Sequence, residues 1–394
     1  MAAAQRQGYE AAMTLPRRAA LILAGATLAR PAHAAAVPRL GLLTTMSGPA
    51  ADGAGPGSVL AARMAIADAG AAVELLVADI GDRPDVGAAQ ARAWFDGGVA
   101  AVLDVPNSAT ALAVAELARA RNRLALISGA GTTALTAGCP AHIIQWTYNT
   151  RALATALATG VVAGGGRRWF FLTVDYAFGH ALQADATAVV VAGGGTVLGA
   201  RVFAPTTLDF AALLLDAQAS GADVVALACT GAPFETLVKQ AAEFGLSDRI
   251  AALLCLTTNI HAIGLDAAQG LVVATPFSHD RDAAARAFTA RFAPANRDIP
   301  PTMVHAGVYA MTRHWLRVAG DRDVLDGSGM AAAMKARPVD DGLFASSTLR
   351  RDGSVAHSMG LYRVKRPQES GGPWDYYVPL RTIDDAYGPP PFCG

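Results

Sequence analysis

The chain has 394 residues, 53% of them hydrophobic, with 32 basic and 32 acidic side chains and a formal net charge of zero. That length and apolar content can fill two buried cores, so two domains are expected. A balanced charge without a basic block or an acidic tail argues against nucleic acid or an anionic membrane surface as a partner.

The first element is a targeting segment. Leu15-Pro16-Arg17-Arg18 leads into an apolar run over residues 19–29 and then Pro31-Ala32-His33-Ala34-Ala35-Ala36. Basic residues, a short apolar stretch and small residues at a cleavage site describe a bacterial signal peptide over residues 1–36. The run is about half the ~20 residues a spanning helix needs. The arginine pair with Leu21 is compatible with twin-arginine export, and ordinary secretion stands beside it. No cysteine sits at the cleavage region, which argues against a lipid anchor, so a protein free in the periplasm is expected.

From there short apolar runs alternate with Ala-rich helical stretches. Strands are predicted over 40–44, 73–78, 99–105 and 124–128, with helices over 58–69, 86–95 and 109–121. The pattern restarts after 145–150, with strands over 169–174, 196–203, 224–228 and 250–256 and helices over 179–191, 209–219 and 235–244. A third boundary follows 270–275. Helices are predicted over 283–292 and 302–318, and strands over 347–350 and 361–365. Continuous apolar strands alternating with helices predict the α/β class, as two doubly wound parallel-sheet lobes. Such lobes form a cleft at the carboxyl ends of their strands.

Four cysteines, Cys139, Cys229, Cys255 and Cys393, show no paired CxxC spacing, which gives no support for a zinc site. Cys229 and Cys255 end apolar runs and are expected to be buried thiols. Cys139, in a Gly-Cys-Pro loop, and Cys393, in the terminal tail, are the candidates for a disulfide, which an oxidising periplasm allows.

The strand ends carry the candidate site. One strand runs into Asn107-Ser108-Ala109-Thr110, and the next ends at Ser128 before Gly129-Ala130-Gly131-Thr132-Thr133. Both turns offer hydroxyls and free backbone N–H groups at a helix start, which suits a carboxylate; plain N-capping is the other reading. In the second unit, Tyr176 and Phe178 follow a strand and suit an apolar or aromatic ligand, or interior packing. His180 reads as a surface or capping group.

An exported enzyme of the same fold class is the alternative of another kind. Gly53-Ala54-Gly55-Pro56-Gly57 departs from the dinucleotide spacing, and Pro56 lacks a donor where phosphate would need one. The sequence has no phosphate-loop lysine motif, no Gly-x-Ser-x-Gly elbow and no His-Glu-x-x-His helix. Neither catalytic residues nor a cofactor are expected.

The chain resembles the type I periplasmic binding proteins of the branched-chain amino acid importer family from about residue 38 to about residue 380. The stretches that carry this are 40–43 with Ser47-Gly48-Pro49, 57–68, 128–136, 175–179, 239–245 and 266–272. The resemblance implies two lobes joined by three crossovers, closing on a small ligand and then docking on the membrane permease of an ABC importer. It places lobe one at 37–148 with 276–341, lobe two at 149–275 with 342–380, and a tail at 381–394. A monomer is the expected state. A membrane sensor reading the same closed shape is a further alternative. The family's carboxylate-holding positions match Ser108, Ala130 and Thr132, a lobe-two aromatic matches Tyr176 or Phe178, and a lobe-two turn matches Cys229-Thr230-Gly231. With their neighbours the expected ligand-binding set is Ser47, Asn107, Ser108, Ala130, Gly131, Thr132, Asp175, Tyr176, Phe178, Thr230 and Thr257.

Amino acid-binding members place an acidic residue near the segment that here reads Leu253-Leu254-Cys255-Leu256-Thr257-Thr258-Asn259, with no carboxylate. A buried ammonium without a partner costs several kcal/mol. Asp175 or Asp104 is the available substitute. The strings 104–110, 169–180 and 372–377 resemble a branch associated with aromatic carboxylates. An aromatic or other non-amino carboxylate is therefore the expected ligand, with a branched-chain or neutral amino acid as the alternative.

Overall fold

The strands buried on both faces set the architecture. In the computed structural model, which describes residues 37–47, 51–320, 322–344, 346–389 and 392–393, they form two sheets. The expected signal peptide lies outside the described residues. The first sheet holds β1 (Arg39–Thr44), β2 (Glu74–Asp79), β3 (Ala101–Asp104), β4 (Leu124–Ile127) and β5 (Ile143–Gln145), all parallel, in the order β2-β1-β3-β4-β5. Residues of β3 and β4 are buried throughout, the mark of a parallel sheet covered by helices on both sides. Here the covering helices are α1 (Gly55–Asp68), α2 (Pro84–Asp96) and α3 (Ser108–Arg121).

The second lobe repeats the order. Its helices are α4 (Thr150–Ala163), α5 (Ala177–Ala192), α6 (Ala211–Ala219), α7 (Ala232–Glu243), α8 (Thr257–Ile263) and α9 (Leu265–Ala268). Its strands β6 (Arg168–Val174), β7 (Thr196–Phe203), β8 (Val224–Ala228), β9 (Ile250–Ala252) and β10 (Val272–Thr275) run parallel in the order β7-β6-β8-β9-β10. Helices α10 (Ala283–Phe292), α11 (Met303–Ala319) and α12 (Gly327–Lys335) then return to the first lobe, where α11 packs on α1. The hairpin pair β11 (Thr348–Leu349) and β12 (Val355–Ala356) precedes β13 (Met359–Val364) and β14 (Tyr377–Ile383), which extend the second sheet antiparallel. Among the described residues no helix is long and apolar enough to cross a membrane.

Three crossovers join the lobes, after β5, after β10 and before β13, and they are bonded to their surroundings. The His357 imidazole donates through Nε2 to the Trp146 carbonyl at 2.6 Å, linking the third crossover to the first. Ser128 donates to the Val304 carbonyl at 2.8 Å and takes the Thr147 hydroxyl proton at 2.6 Å. Helix α11 reaches this close because residue 307 is glycine: a Cβ there would stand 1.8 Å from Thr147 Oγ1.

Two expected boundaries shift. Residues 346–358, expected in lobe two, bond to lobe one: Gln145 N donates to the Gly353 carbonyl, and Lys335 donates to the Arg351 carbonyl at 2.9 Å. The tail starts later than 381, because β14 pairs with β13 as far as Ile383. The predicted strand over 250–256 stops at Ala252, and α4 and β5 were not predicted.

Burial in this frame has a consequence for pH. His305, at the start of α11, donates through Nε2 to the Ala54 carbonyl and accepts the Thr302 N–H on Nδ1. Burial holds both His305 and His357 down at about 4. Their neutral forms stabilise the fold fully above the unfolded value near 6.5, and that stability is lost as pH falls from there through about 4. Asp104 opposes this, since burial raises it to about 6 and its cost fades over the same acid range. Two imidazoles outweigh one carboxyl, so the melting temperature should drop between pH 6.5 and 4. A melting curve flat or rising over that window would contradict the assignment.

Candidate functional site

In each sheet the first strand lies between the second and third, so the chain reverses its direction of winding beside β1 and β6. Ligands of open α/β sheets bind outside the carboxyl ends of strands at that point. A cleft of about 570 Å³ lies there, lined from lobe one by Ser47, Asp82, Asn107, Ser108 and Tyr148, and from lobe two by Tyr176, Phe178, Thr230, Thr258 and Asn259.

The lobe-one wall begins with a kink. Asp104 and Val105 both have positive φ, 72° and 51°, a region that is uncommon for any side chain and an outlier for a β-branched one. The kink turns the Asp104 carbonyl onto the N–H groups of Ser128 and Gly129, at 3.1 and 3.2 Å, and sends the chain into α3. Asn107 then caps the helix, accepting from Thr110 N at 3.0 Å, while its amide donates to Asp82 at 2.9 Å. Ser108 takes the first helical position on the cleft wall. Its hydroxyl is buried and has no hydrogen-bond partner among the described residues. An unsatisfied buried hydroxyl costs about 1–3 kcal/mol, which a bound acceptor would recover.

The turn after β4 faces the other way. Gln145 Nε2 donates to the carbonyls of Ala130 and Thr132, and Thr150 N donates to that of Gly131. These bonds brace residues 130–132 against the first crossover. Of the turn, Gly129 alone lines the cleft, while Thr132 faces a separate hollow. Gly131 is covered by rings, since a Cβ there would stand 2.6 Å from Tyr148 and 3.0 Å from Phe178. The Tyr148 hydroxyl donates to the Gly129 carbonyl at 2.5 Å.

Lobe two contributes the aromatic wall. Tyr176 and Phe178 stack with centroids 6.4 Å apart, and burial raises the Tyr176 phenol well above its usual range. Asp175 is turned to solvent and pairs with His180 at 2.8 Å, so it does not line the cleft. Thr257 also lies outside it, because the chain leaves β9 early and presents Leu254, Leu256, Thr258 and Asn259 instead. Asn259 donates to Glu235, a half-buried carboxyl that burial raises.

Among the lining residues there is no cation, and Asp82 is the one acid. Asp104 is fully buried near Gly129, with one oxygen on the Thr44 hydroxyl at 2.9 Å. Sequence reasoning missed Tyr148, Asp82 and Asn259. Tyr148 had a signal, an aromatic three residues beyond the last strand of lobe one. Among the described residues no group of three or more His, Cys, Asp or Glu is placed to hold a metal ion.

The chain is similar to known proteins over most of its length. A family model described as periplasmic binding protein matches residues 38–373. A crystal structure of a periplasmic binding protein from Burkholderia mallei is 36% identical, with a TM-score of 0.84, covering 88% of this chain and 95% of that one. Another, from Burkholderia xenovorans, is described as a branched chain amino acid ABC transporter periplasmic ligand-binding protein. It is 35% identical, with a TM-score of 0.81, covering 89% and 97% of the two chains. A third, a solute-binding protein of an ABC transporter from R. palustris in complex with benzoate, shares the fold at 18% identity, with a TM-score of 0.77 and 88% and 96% covered. No curated protein matches the chain.

Proposed function

Because this chain belongs to the periplasmic binding protein family, we propose that it captures an aromatic or other non-amino carboxylate in the cleft and delivers it to an ABC importer permease by lobe closure. The observation that carries this is the buried Ser108 hydroxyl at the start of α3, without a hydrogen-bond partner among the described residues, in a cleft whose described lining holds an aromatic wall and no cation. A helix start holds a carboxylate with its N–H groups and dipole, and the hydroxyl adds a donor. Tyr176, Phe178 and Tyr148 then cover an apolar body, and about 570 Å³ is the size of a small-molecule site. Closure is driven by contacts made solely in the closed form, since equal binding to both forms shifts nothing. Export to the periplasm and action as a monomer complete the reading.

A branched-chain or neutral amino acid is the second reading. It is favoured by Asp82, a carboxylate on the cleft wall that would face an ammonium, and by the description of the Burkholderia xenovorans protein. Asp82 already accepts from Asn107, and Glu235 from Asn259, which favours the first reading.

A thermal-shift screen with benzoate, 4-hydroxybenzoate, cinnamate, leucine and valine decides between them. A ligand at a hundred times its dissociation constant adds about 2.7 kcal/mol of stability. A raised melting temperature with the aromatic acids alone is the expected result. A shift with leucine or valine alone would replace the aromatic reading by the amino acid one.

A further inference from the structure

A second hollow, of about 560 Å³, shares none of the residues that line the cleft. It lies beside the crossovers, between the turn after β4, which supplies Thr132 and Thr136, and the first turn of α4, which supplies Arg151. Arg350, beside β11, and Tyr387, beyond β14, close another side.

The two arginines set its chemistry. Arg168, Arg291 and Arg363 are each held by a carboxylate. The guanidinium groups of Arg151 and Arg350 have no hydrogen-bond or ion-pair partner among the described residues. Arg350 instead lies over the Tyr387 ring, 5.6 Å from its centroid, an arrangement that fixes the guanidinium without using its donors. One carboxylate faces the hollow, Asp352, and it accepts from Ser354 N at 2.9 Å and Ser354 Oγ at 2.7 Å. Thr132 adds a buried hydroxyl, whereas that of Thr136 donates to the Thr133 carbonyl at 3.5 Å, and Asn149 and Arg151 bring the start of α4, the positive end of its dipole, onto the lining.

We propose that this hollow is a second binding site, for a small oxyanion carrying two or more negative charges. Guanidinium forks match the oxygen pairs of phosphate and carboxylate groups, and the Thr132 hydroxyl can donate to a further oxygen. Two guanidinium groups outnumber the one carboxylate on the lining, and Asp185, behind it, is taken up by the hydroxyls of Thr133 and Thr150, so a neutral or cationic ligand is disfavoured. The site stands independently of what fills the cleft.

Isothermal titration of the full chain with inorganic phosphate and with citrate at low ionic strength tests it and separates an inorganic from a polycarboxylate ligand. At least one should bind saturably. The double variant Arg151→Gln with Arg350→Gln should weaken that binding by roughly tenfold or more, the scale of losing charged hydrogen bonds. Ser108→Ala should leave it unchanged. Saturable binding by neither anion, binding that survives the double variant, or binding lost in Ser108→Ala would each overturn the proposal. Should the double variant melt early, Arg151→Gln alone, at an exposed position, gives the same reading through a smaller loss.

Discussion

Ser108→Ala is expected to weaken binding of the carboxylate ligand by roughly tenfold to a hundredfold, the loss of one hydrogen bond to a charged group. The melting temperature of the free protein should stay level or rise slightly, because alanine removes a buried hydroxyl that has no partner among the described residues. This opposite movement of binding and stability distinguishes a ligand contact from a structural one. Thr132→Ala serves as the contrast. Its hydroxyl faces the second hollow, so affinity for the cleft ligand should stay within about twofold, below the scale of one hydrogen bond. Calorimetry with the ligand found in the screen measures both. An unchanged dissociation constant in Ser108→Ala would remove α3 from the site. An equal loss in Thr132→Ala would mean that the turn after β4 swings into the cleft on closure.

The difference between those two residues marks how far the sequence could be read. Ser108 was legible because Asn107 is a capping residue directly before a helix, and a capped helix start after a strand has one place to point. Thr132 sits in a turn whose direction depends on which carbonyls Gln145 and Thr150 engage, and those partners lie 13 to 19 positions along the chain. The kink at Asp104 and Val105 was hidden because neither is glycine. The sheets were legible from their continuous apolar runs. Helix α4 was not, since residues such as Leu153, Ala154, Ala156 and Leu157 bury nearly all its sides and leave no amphipathic period. Strand β5, three residues long, and the late third crossover depend on pairing with distant segments, which local pattern does not record.

Cys139→Ser with Cys393→Ser should lower the unfolding free energy by about 2–5 kcal/mol, the range for a native disulfide closing a long loop. The two cysteines are joined in the structure across a separation of 254 residues. Cys139 belongs to the loop before β5 in lobe one, whereas Cys393 follows β14 of lobe two, so the bond joins segments that belong to different lobes. Tyr387, buried and donating to the Thr147 carbonyl at 3.1 Å, holds the segment after β14 to the first crossover without the disulfide, so ligand affinity should change little in the variant. Reshuffling with the other thiols is not expected. Cys229 and Cys255 are fully buried, and burial raises both far above the usual thiol range, which keeps them from forming the attacking thiolate. Urea unfolding of the wild type, of the double variant and of the wild type under mild reductant measures the loss. The second and third should coincide, with a midpoint below the first. A midpoint that does not move would mean that the tail is held by its other contacts and that the bond adds nothing to the folded state.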